Sequence, residues 1–352
     1  MKTILLTGGG TGGHVLPNLA LVPELKTHFD KIYYLGSNGI EKQLLAPYAD
    51  ITFKEIDCVK LQRKFTFKNF AIPVKLLRSI HDAKKILKEL RPDVIFSKGG
   101  YVSLPVVLAG SKLKIPCVTH ESDLTLGLSN KLMAIRCDYV FTAFENTAKS
   151  LKNGVFTGSP IKPSLFSCDK KQSLKSFGFS GKKPVLLITG GSKGSVKLNE
   201  LVRNSRRLIG QTFDIIHLTG KDNLDNFSAD YYYAVEFLPQ MELALAACDI
   251  AVTRGGANTL FELIALQKPA LVIPLPKGNS RGDQILNAEY FSNKGLCKTL
   301  LQENATKSSF IYNVKTLYRD KADYEKQLFA YPVKSGNRLI SELLSKIAKS
   351  NQ

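Results

Sequence analysis

Short apolar runs alternate along the chain with longer stretches whose apolar residues recur every three to four positions. The short runs are rich in β-branched residues and include residues 31–36, 93–97, 116–120 and 139–143. One of the longer stretches follows the period of a single helix face, with Leu76, Leu77, Ile80, Ala83, Ile86, Leu87 and Leu90. Strands that alternate with helices predict a parallel sheet covered by helices on both faces.

The same pattern starts a second time in the middle of the chain. Residues 7–14 read TGGGTGGH with Asn18-Leu19 beyond them, and residues 189–195 read TGGSKGS with Leu198-Asn199 beyond them. Each motif follows an apolar strand and precedes a helical stretch. The offset of about 182 residues is much too long for a solenoid repeat and indicates two related doubly wound domains.

The predicted domains are residues 1–160 and residues 161–334, joined through a Gly/Ser/Pro/Lys-rich stretch at 158–183. The final amphipathic segment, 338–348, is expected to fold back onto the first domain, so that 335–352 belongs to it. A length of 352 residues suits two domains better than one, because single cores rarely exceed roughly 300 residues. Parallel sheets bind ligands at the carboxyl ends of their strands, so two facing domains predict a central cleft.

The composition of the chain indicates the cellular environment and the kinds of partner that are compatible with it. The six cysteines are scattered without a CxxC pair, which favours reduced thiols in a cytosol and argues against structural zinc. The first residues predict a strand rather than a signal peptide, and no apolar stretch reaches the roughly 20 residues of a spanning helix. The formal charge of +19 attracts phosphate-rich partners, and charge alone leaves nucleic acid, anionic lipid and diphosphate substrates open.

The first glycine loop, residues 8–13, formally matches the dinucleotide fingerprint G-x-G-x-x-G. A dehydrogenase also needs an acid at the end of the second strand, and residues 35–39 (LGSNG) supply none. Neither glycine loop continues into the Gly-Lys-Ser/Thr of a Walker A motif. With both of these motifs excluded, the loop is predicted to bind an anion through its backbone N–H groups. The expected anion cradle consists of Thr11, Gly12 and Gly13 at the start of the following helix. His14 beside it is either a base or a structural residue.

The second domain carries a strand, a glycine turn and a helix at residues 249–262. Glu262, in the first two turns of that helix, either accepts the two hydroxyls of a ribose or complements the helix dipole. Gln284 and Asn287 are three residues apart on one helix face, which suits recognition of sugar hydroxyls as well as ordinary helix polarity.

Taken in order, these motifs resemble the MurG family of glycosyltransferases, glycosyltransferase family 28. The resemblance covers almost the whole chain and is carried by residues 8–14 (GGGTGGH), 97–101 (SKGGY), 120–121 (HE), 127–131, 158–160 (GSP), 190–192, 254–262 and 283–288. It implies an α/β GT-B fold, in which two Rossmann-like doubly wound domains face a central cleft. The implied reaction is an inverting transfer without a metal or other cofactor. N-acetylglucosamine passes from UDP-N-acetylglucosamine (UDP-GlcNAc) to the MurNAc 4-hydroxyl of undecaprenyl-diphosphate-MurNAc-pentapeptide (lipid I), giving lipid II for peptidoglycan.

The resemblance also implies a role for individual residues. His14 assists deprotonation of the acceptor hydroxyl, and Thr11, Gly12 and Gly13 line the cleft where donor and lipid diphosphate meet. Ser192 contacts the donor diphosphate, the backbone of Leu238 reads the uracil, and Glu262 holds the ribose. The donor phosphates are wrapped by Gly256, Ala257, Asn258, Thr259 and Leu260, and the GlcNAc hydroxyls are read by Gln284 and Asn287. Two substrate-binding positions depart from the family pattern. Asp123 replaces an asparagine expected to touch the sugar, and Lys162 replaces an arginine, keeping its charge but losing its bidentate fork.

A basic stretch lies between residues 60 and 91, where ten Lys and Arg face two acids. Phe65, Phe67 and Phe70 interleave with Lys64 and Lys68, a composition that suits an anionic bilayer and also RNA. The resemblance favours lipid, and it implies a peripheral enzyme on the cytoplasmic face of the membrane, with other cell-wall enzymes as further partners. The rivals are a fold-sharing UDP-GlcNAc 2-epimerase, a transferase for another glycolipid, and a nucleic-acid-binding module that no motif supports.

Overall fold

Two sheets organise the chain in the computed structural model, which describes residues 1–58, 72–191, 194–278, 281–332 and 335–349. Unit 1 comprises Met1–Lys162 and Ser335–Gln352, and unit 2 comprises Pro163–Lys334. Phe65, Phe67, Phe70 and the lysines between them lie outside the described residues. None of the helices in the described ranges combines the length and the hydrophobicity that crossing a bilayer requires.

The sheet of unit 1 is parallel throughout and, over the described residues, has seven strands in the order β3-β2-β1-β4-β5-β6-β7. These strands are β1 (Thr3–Thr7), β2 (Lys31–Gly36), β3 (Ile51–Glu55), β4 (Val94–Ser97), β5 (Cys117–Glu121), β6 (Tyr139–Thr142) and β7 (Gly154–Phe156). The helices between them are α1 (Gly12–Leu25), α2 (Ile40–Leu45), α3 (Ile72–Leu90), α4 (Ser103–Lys112), α5 (Leu128–Ala134) and α6 (Glu145–Lys149).

The sheet of unit 2 repeats this plan with six described strands in the order β10-β9-β8-β11-β12-β13. They are β8 (Val185–Thr189), β9 (Asp214–Leu218), β10 (Tyr232–Val235), β11 (Ile250–Thr253), β12 (Ala270–Val272) and β13 (Lys298–Thr299). The helices are α7 (Lys170–Ser176), α8 (Val196–Ile209), α9 (Met241–Ala247), α10 (Ala257–Ala265), α11 (Asp283–Ser292), α12 (Lys307–Arg319) and α13 (Lys321–Ala330), with 3-10 turns at Pro163–Phe166 and Gln302–Asn304.

Both faces of each sheet are covered, as the alternation of apolar runs predicts. In β1, Ile4 and Leu6 belong to the core beneath α1, whereas Leu5 belongs to the opposite core with Ile80 and Leu87 of α3. A strand that is buried on both faces has a continuous run of apolar residues, and residues 4–6 (Ile-Leu-Leu) form such a run. The predicted α/β class with two doubly wound sheets is confirmed.

The last helix, α14 (Asn337–Lys349), packs on α1 of unit 1, where Ile340, Leu344 and Ala348 join the core. The buried amide of Asn337 makes three hydrogen bonds there. Its Oδ1 accepts from Ile161 N at 2.8 Å, and its Nδ2 donates to the carbonyls of Ile161 at 2.7 Å and Ala20 at 3.0 Å. The segment from 337 to 349 is therefore fixed to unit 1 by polar contacts as well as by its apolar face.

Candidate functional site

In unit 1, the candidate site lies at the carboxyl end of the sheet, where three loops emerge side by side. Thr7, Ser97 and Thr119 are neighbours in register across β1, β4 and β5. The strand order reverses at this point, because the chain passes from β1 to β2 and β3 and then returns to β4 on the other side of β1. Such a switch point leaves a crevice above the strand ends, which is where open parallel sheets bind ligands.

The loop after β1 is packed backbone against backbone with the loop after β4. Gly100 has φ +87°, and a Cβ added to it would lie 2.3 Å from the carbonyl oxygen of Gly9. Gly10 has φ +85°, and its added Cβ would lie 2.4 Å from Cε1 of Tyr101. A side chain at either position would separate the two loops, so both glycines are required by the close approach.

Glu41 is a member of this site that sequence reasoning missed. Its side chain is fully buried, and Oε1 accepts a hydrogen bond of 2.7 Å from the backbone N of Gly10. A Cβ on Gly9 would lie only 1.7 Å from the same oxygen. Glu41 lies five residues beyond the end of β2, in α2, and its carboxylate closes the glycine loop. In the sequence, Glu41 looks like any polar residue of a short helix.

A buried asparagine lies in the helix that follows each glycine loop, Asn18 in α1 and Asn199 in α8. Asn18 Nδ2 donates to the carbonyl of Thr7 at the end of β1 (3.1 Å). Asn199 Nδ2 donates to the carbonyl of Thr219 just beyond β9 (2.8 Å), and its Oδ1 contacts His217 Nε2 at 3.0 Å. The asparagines occupy matching positions in the two motifs but hold different strands, because Asn18 bonds β1, which precedes its loop, and Asn199 bonds the chain at β9, which follows its helix.

His14 lies in the first turn of α1, directly after the predicted cradle of Thr11, Gly12 and Gly13. Its Nδ1 lies 3.1 Å from Thr11 Oγ1, and its backbone N donates to the Thr11 carbonyl at 3.1 Å. The imidazole also packs against the loop after β4, because a Cβ on Gly100 would lie 3.2 Å from Nδ1. The structure therefore places His14 where the loops after β1 and β4 meet.

Lys98, within residues 97–101, is a second member of this site to which the sequence assigns no role of its own. The side chain is buried, and Nζ lies 2.9 Å from His120 Nδ1 and 2.5 Å from Ser122 Oγ. Burial lowers the pKa of Lys98 to about 8, although the carboxylates of Glu121 and Asp123 act to raise it. Burial and the Lys98 charge hold the pKa of His120 well below its usual range.

The loop from residue 122 to residue 127, which carries Asp123, is pinned by Glu121. The Glu121 carboxylate accepts hydrogen bonds from Asp123 N at 3.0 Å, from Gly127 N at 2.8 Å and from Asn130 Nδ2 at 2.8 Å. Asp123 itself is half-buried. Lys162, the other departure from the family pattern, is exposed at the last residue before unit 2.

In unit 2, the corresponding edge joins the loops after β8, β11 and β12. Thr189, Thr253 and Val272 are neighbours in register, and Gly255 (φ +81°) approaches the carbonyl of Gln284 so closely that an added Cβ would lie 3.1 Å away. Helix α10 begins directly after Gly256. Predicted site residues Gly256, Ala257, Asn258, Thr259 and Leu260 form the first turn of α10 and its cap, and Glu262 follows half-buried in the second turn.

The two amides of α11 are engaged within the protein. Gln284 Oε1 accepts from Leu275 N at 3.0 Å, and the fully buried Asn287 donates from Nδ2 to the carbonyl of Gly255 at 3.4 Å. These contacts hold the loops after β11 and β12 in place. The contacts of both side chains with a sugar stay predictions. Leu238 is half-buried in the loop after β10, and Ser192 lies outside the described residues.

Arg254 adds a buried positive charge immediately before this glycine turn. Its side chain is 4% exposed, and Nη2 donates to Gln302 Oε1 at 2.6 Å. Nε and Nη1 find no hydrogen-bond partner among the described residues. Burial lowers the pKa of Arg254 to about 10, which still leaves it charged at neutral pH. A cation here favours an anion near the start of α10.

Family models match both units. The Glycosyltransferase family 28 N-terminal domain matches residues 4–142, and the Glycosyltransferase family 28 C-terminal domain matches residues 185–342. Each half of the repeat detected in the sequence therefore corresponds to one domain of a two-domain glycosyltransferase.

Curated relatives extend the similarity over nearly the full length. A protein of Clostridium botulinum strain Hall is 43% identical over 358 residues, covering 99% of this chain and 100% of the relative. A protein of Clostridium tetani is 41% identical over 354 residues, covering 98% of both. Each is named UDP-N-acetylglucosamine–N-acetylmuramyl-(pentapeptide) pyrophosphoryl-undecaprenol N-acetylglucosamine transferase.

Solved structures share the fold. MurG of Acinetobacter baumannii superposes with a TM-score of 0.77 at 24% identity, covering 98% of this chain and 100% of that one. UDP-GlcNAc 2-epimerase of Neisseria meningitidis, bound to UDP-GlcNAc, superposes with a TM-score of 0.69 at 17% identity, with 98% and 100% coverage. At these identities the likeness establishes the GT-B architecture and leaves the reaction to be decided by the site.

Proposed function

Because the chain belongs to glycosyltransferase family 28, it is a UDP-GlcNAc-dependent glycosyltransferase, and we propose that it transfers N-acetylglucosamine to the MurNAc 4-hydroxyl of lipid I, giving lipid II. The observation that carries this proposal is the 43% identity to a relative of that name across 99% of the chain. The strand-end loops of both units support it, because each presents a helix start of the kind that binds phosphate.

For the donor, we place UDP-GlcNAc on unit 2. The first turn of α10 would receive the diphosphate, and the buried charge of Arg254 would favour it there. Glu262, one turn further along the same helix, would accept the ribose hydroxyls. Leu238 would meet the uracil through its backbone, and Gln284 and Asn287 would approach the sugar while they keep the loops after β11 and β12 in place.

For the acceptor, we place the MurNAc end of lipid I at the carboxyl edge of unit 1, with its diphosphate at Thr11, Gly12 and Gly13. Three further substrate contacts are predicted without assignment to the acceptor: Asp123, which replaces an asparagine expected to touch the sugar, Lys162, and Ser192 at the donor diphosphate. The central cleft between the two units stays a prediction.

The chemical step needs one base. When the Nδ1–H of His14 donates to Thr11 Oγ1, Nε2 carries the lone pair that can take the proton of the 4-hydroxyl. The hydroxyl oxygen then bonds to the anomeric carbon from the face opposite UDP. The bond between that carbon and the phosphate oxygen breaks, UDP leaves with the electron pair, and the configuration inverts. The charge that develops on UDP is stabilised by the start of α10.

Membrane docking on the cytoplasmic face remains part of the proposal. Helix α3 exposes Val74 (70%) and Leu77 (63%) beside the cations Lys75 and Arg78. Leu128 and Leu132 of helix α5, with Ile135 directly after it, form a second group of exposed apolar side chains. Apolar side chains bordered by cations suit an anionic bilayer, because each well-placed cation contributes about 1 kcal/mol to the free energy of membrane binding. Replacing Lys75 and Arg78 by glutamate should weaken binding to cardiolipin-rich vesicles, and unchanged binding would exclude this surface.

The decisive experiment is a transfer assay with labelled UDP-GlcNAc and a short-chain lipid I analogue, followed by chromatography of the products. A disaccharide-lipid product that requires both substrates supports the proposal. Conversion of UDP-GlcNAc to its 2-epimer without acceptor would favour the epimerase alternative. Tight, salt-sensitive binding to RNA or DNA without UDP affinity would favour a nucleic-acid-binding module.

A further inference from the structure

The fully buried carboxylate of Glu41 has no part in the proposed mechanism, although it bonds directly to the glycine loop after β1. Three glycines surround it. A Cβ on Gly9 would collide with its Oε1, a Cβ on Gly39 would lie 2.8 Å from its Oε2, and a Cβ on Gly36 would lie 3.2 Å from its own Cβ. Glycines at these three positions keep open the space that this one side chain fills.

Two buried side chains, one from β2 and one from α2, hold the backbone of the glycine loop. The hydroxyl of Tyr34 donates to the carbonyl of Gly8 at 2.7 Å. Glu41 Oε1 accepts from the backbone N of Gly10 at 2.7 Å. Gly10 directly precedes the predicted cradle at residues 11–13, and its φ of +85° is one that other residues rarely adopt. The bond to Glu41 therefore fixes the turn from which α1 starts.

The contacts of Glu41 require an oxygen atom at a particular place rather than a charge. Besides the amide of Gly10, the carboxylate accepts a hydrogen bond of 3.3 Å at Oε2 from the hydroxyl of Ser37. A carboxamide could satisfy both groups, because its oxygen can accept from the amide and its NH2 group can donate to the hydroxyl. A negative charge beneath a loop that binds a diphosphate would weaken that binding. The position of the oxygen is therefore the property on which the loop depends.

We propose that Glu41 is a positioning residue for the acceptor, which holds the amide of Gly10 so that residues 11–14 keep the conformation that binds the acceptor diphosphate and carries the base. This inference rests on the proposed function, which places the acceptor at these residues. Because its side chain is fully buried, Glu41 acts through the loop and not on the substrate itself. The backbone N of His14 donates to the carbonyl of Thr11, so a displaced loop would also displace the base.

Two conservative variants separate the reach of the side chain from its charge. Glu41→Gln keeps the length and removes the charge, whereas Glu41→Asp keeps the charge and withdraws the oxygen by about one C–C bond, ~1.5 Å. For each, kcat, the KM for a lipid I analogue and the affinity for UDP are measured. Glu41→Asp should lower kcat/KM for the acceptor by about tenfold to a hundredfold and change the UDP affinity by less than about twofold. Glu41→Gln should stay within about threefold of wild type, because a neutral acceptor makes a somewhat weaker hydrogen bond.

Asp93→Ala is the matched control at the opposite end of β1. Asp93 Oδ2 accepts from the backbone N of Thr3 at 2.6 Å, so this variant also removes a carboxylate from a backbone N–H of unit 1. It should lower the Tm of unit 1 and leave the kinetic constants within about twofold of wild type, because distant sites act independently. A kinetic loss as large as that of Glu41→Asp would assign the effect to general destabilisation and overturn the proposal.

Two other results would overturn it. Wild-type kinetics in Glu41→Asp would show that the loop does not depend on the reach of residue 41, and a loss in Glu41→Gln as large as in Glu41→Asp would assign the role to charge. If Glu41→Asp does not fold, Glu41→Met takes its place, since it fills a similar volume without an acceptor oxygen and should show the same acceptor-specific loss; unchanged kinetics would again refute the proposal. A wild-type enzyme without transfer activity would instead refute the proposed function, whereas wild-type transfer with an equal loss of acceptor kinetics and UDP affinity in the variant refutes this inference alone.

Discussion

Gly100 offers a sharp test of whether the loops after β1 and β4 act as one assembly. In Gly100→Ala, the new Cβ would lie 2.3 Å from the carbonyl oxygen of Gly9, whereas real Cβ atoms essentially never approach closer than 3.0 Å. The glycine loop must therefore shift by at least about 0.7 Å. Residue 100 also has φ +87°, which costs an alanine about 1–2 kcal/mol.

The matched control is Gly178→Ala, in the loop after α7. Gly178 has φ +75°, but nothing lies within 4 Å of an added Cβ. It shares the backbone strain of about 1–2 kcal/mol and lacks the collision. Overpacking adds about 1–3 kcal/mol, so Gly100→Ala should destabilise unit 1 by about 2–5 kcal/mol in total. The difference between the two variants isolates the contact between the loops.

Calorimetry and steady-state kinetics measure the two effects. With about 2–4 °C of Tm per kcal/mol for a domain of this size, Gly100→Ala should lower the transition of unit 1 clearly more than Gly178→Ala lowers that of unit 2. A displacement approaching 1 Å near reacting groups can reduce turnover about a hundredfold. We expect kcat/KM for the acceptor to fall by about that factor, with wild-type kinetics in the control. Equal kinetics in both variants would show that the contact does not position the glycine loop.

Four further outcomes follow from individual side chains. Glu262→Ala should raise the KM for UDP-GlcNAc about tenfold or more, and unchanged kinetics would remove its role at the ribose. His14→Ala should lower kcat by about 10²–10⁴-fold, and near-normal turnover would make it a structural residue. Asn337→Ala should destabilise unit 1 by about 2–4 kcal/mol in denaturant unfolding, because three buried groups lose their partner; a loss below about 1 kcal/mol contradicts this. Burial lowers the pKa of His217 to about 4, so the unfolded chain gains a proton first, and unit 2 should lose about 3 kcal/mol as the pH falls from about 6.5 to 4. His217→Asn should flatten that dependence in urea titrations, and an unchanged slope would assign it to other groups.

Local patterns in the chain are enough to predict the architecture and the position of the candidate site. Apolar runs such as residues 4–6 specify strands buried on both faces, and glycines directly after them specify tight turns into helices. These features depend on neighbours along the chain, so local patterns reveal them. The repeat of residues 7–14 at 189–195 was enough to predict two related sheets. The motif order was enough to identify the family.

The side chains that support those turns become visible once the strands are placed beside one another. Glu41 lies 31 positions from the amide it accepts from, and Lys98 lies 24 positions from the hydroxyl it contacts. In the sequence, each is a charged residue in an unremarkable context. Asn287 likewise appears as a polar helix residue, although it is fully buried against the turn at Gly255. The register of the parallel strands brings residues that are distant in sequence into contact. It thereby decides which polar side chains are buried and which groups they bond to, so that residues of a type common on surfaces come to support the site.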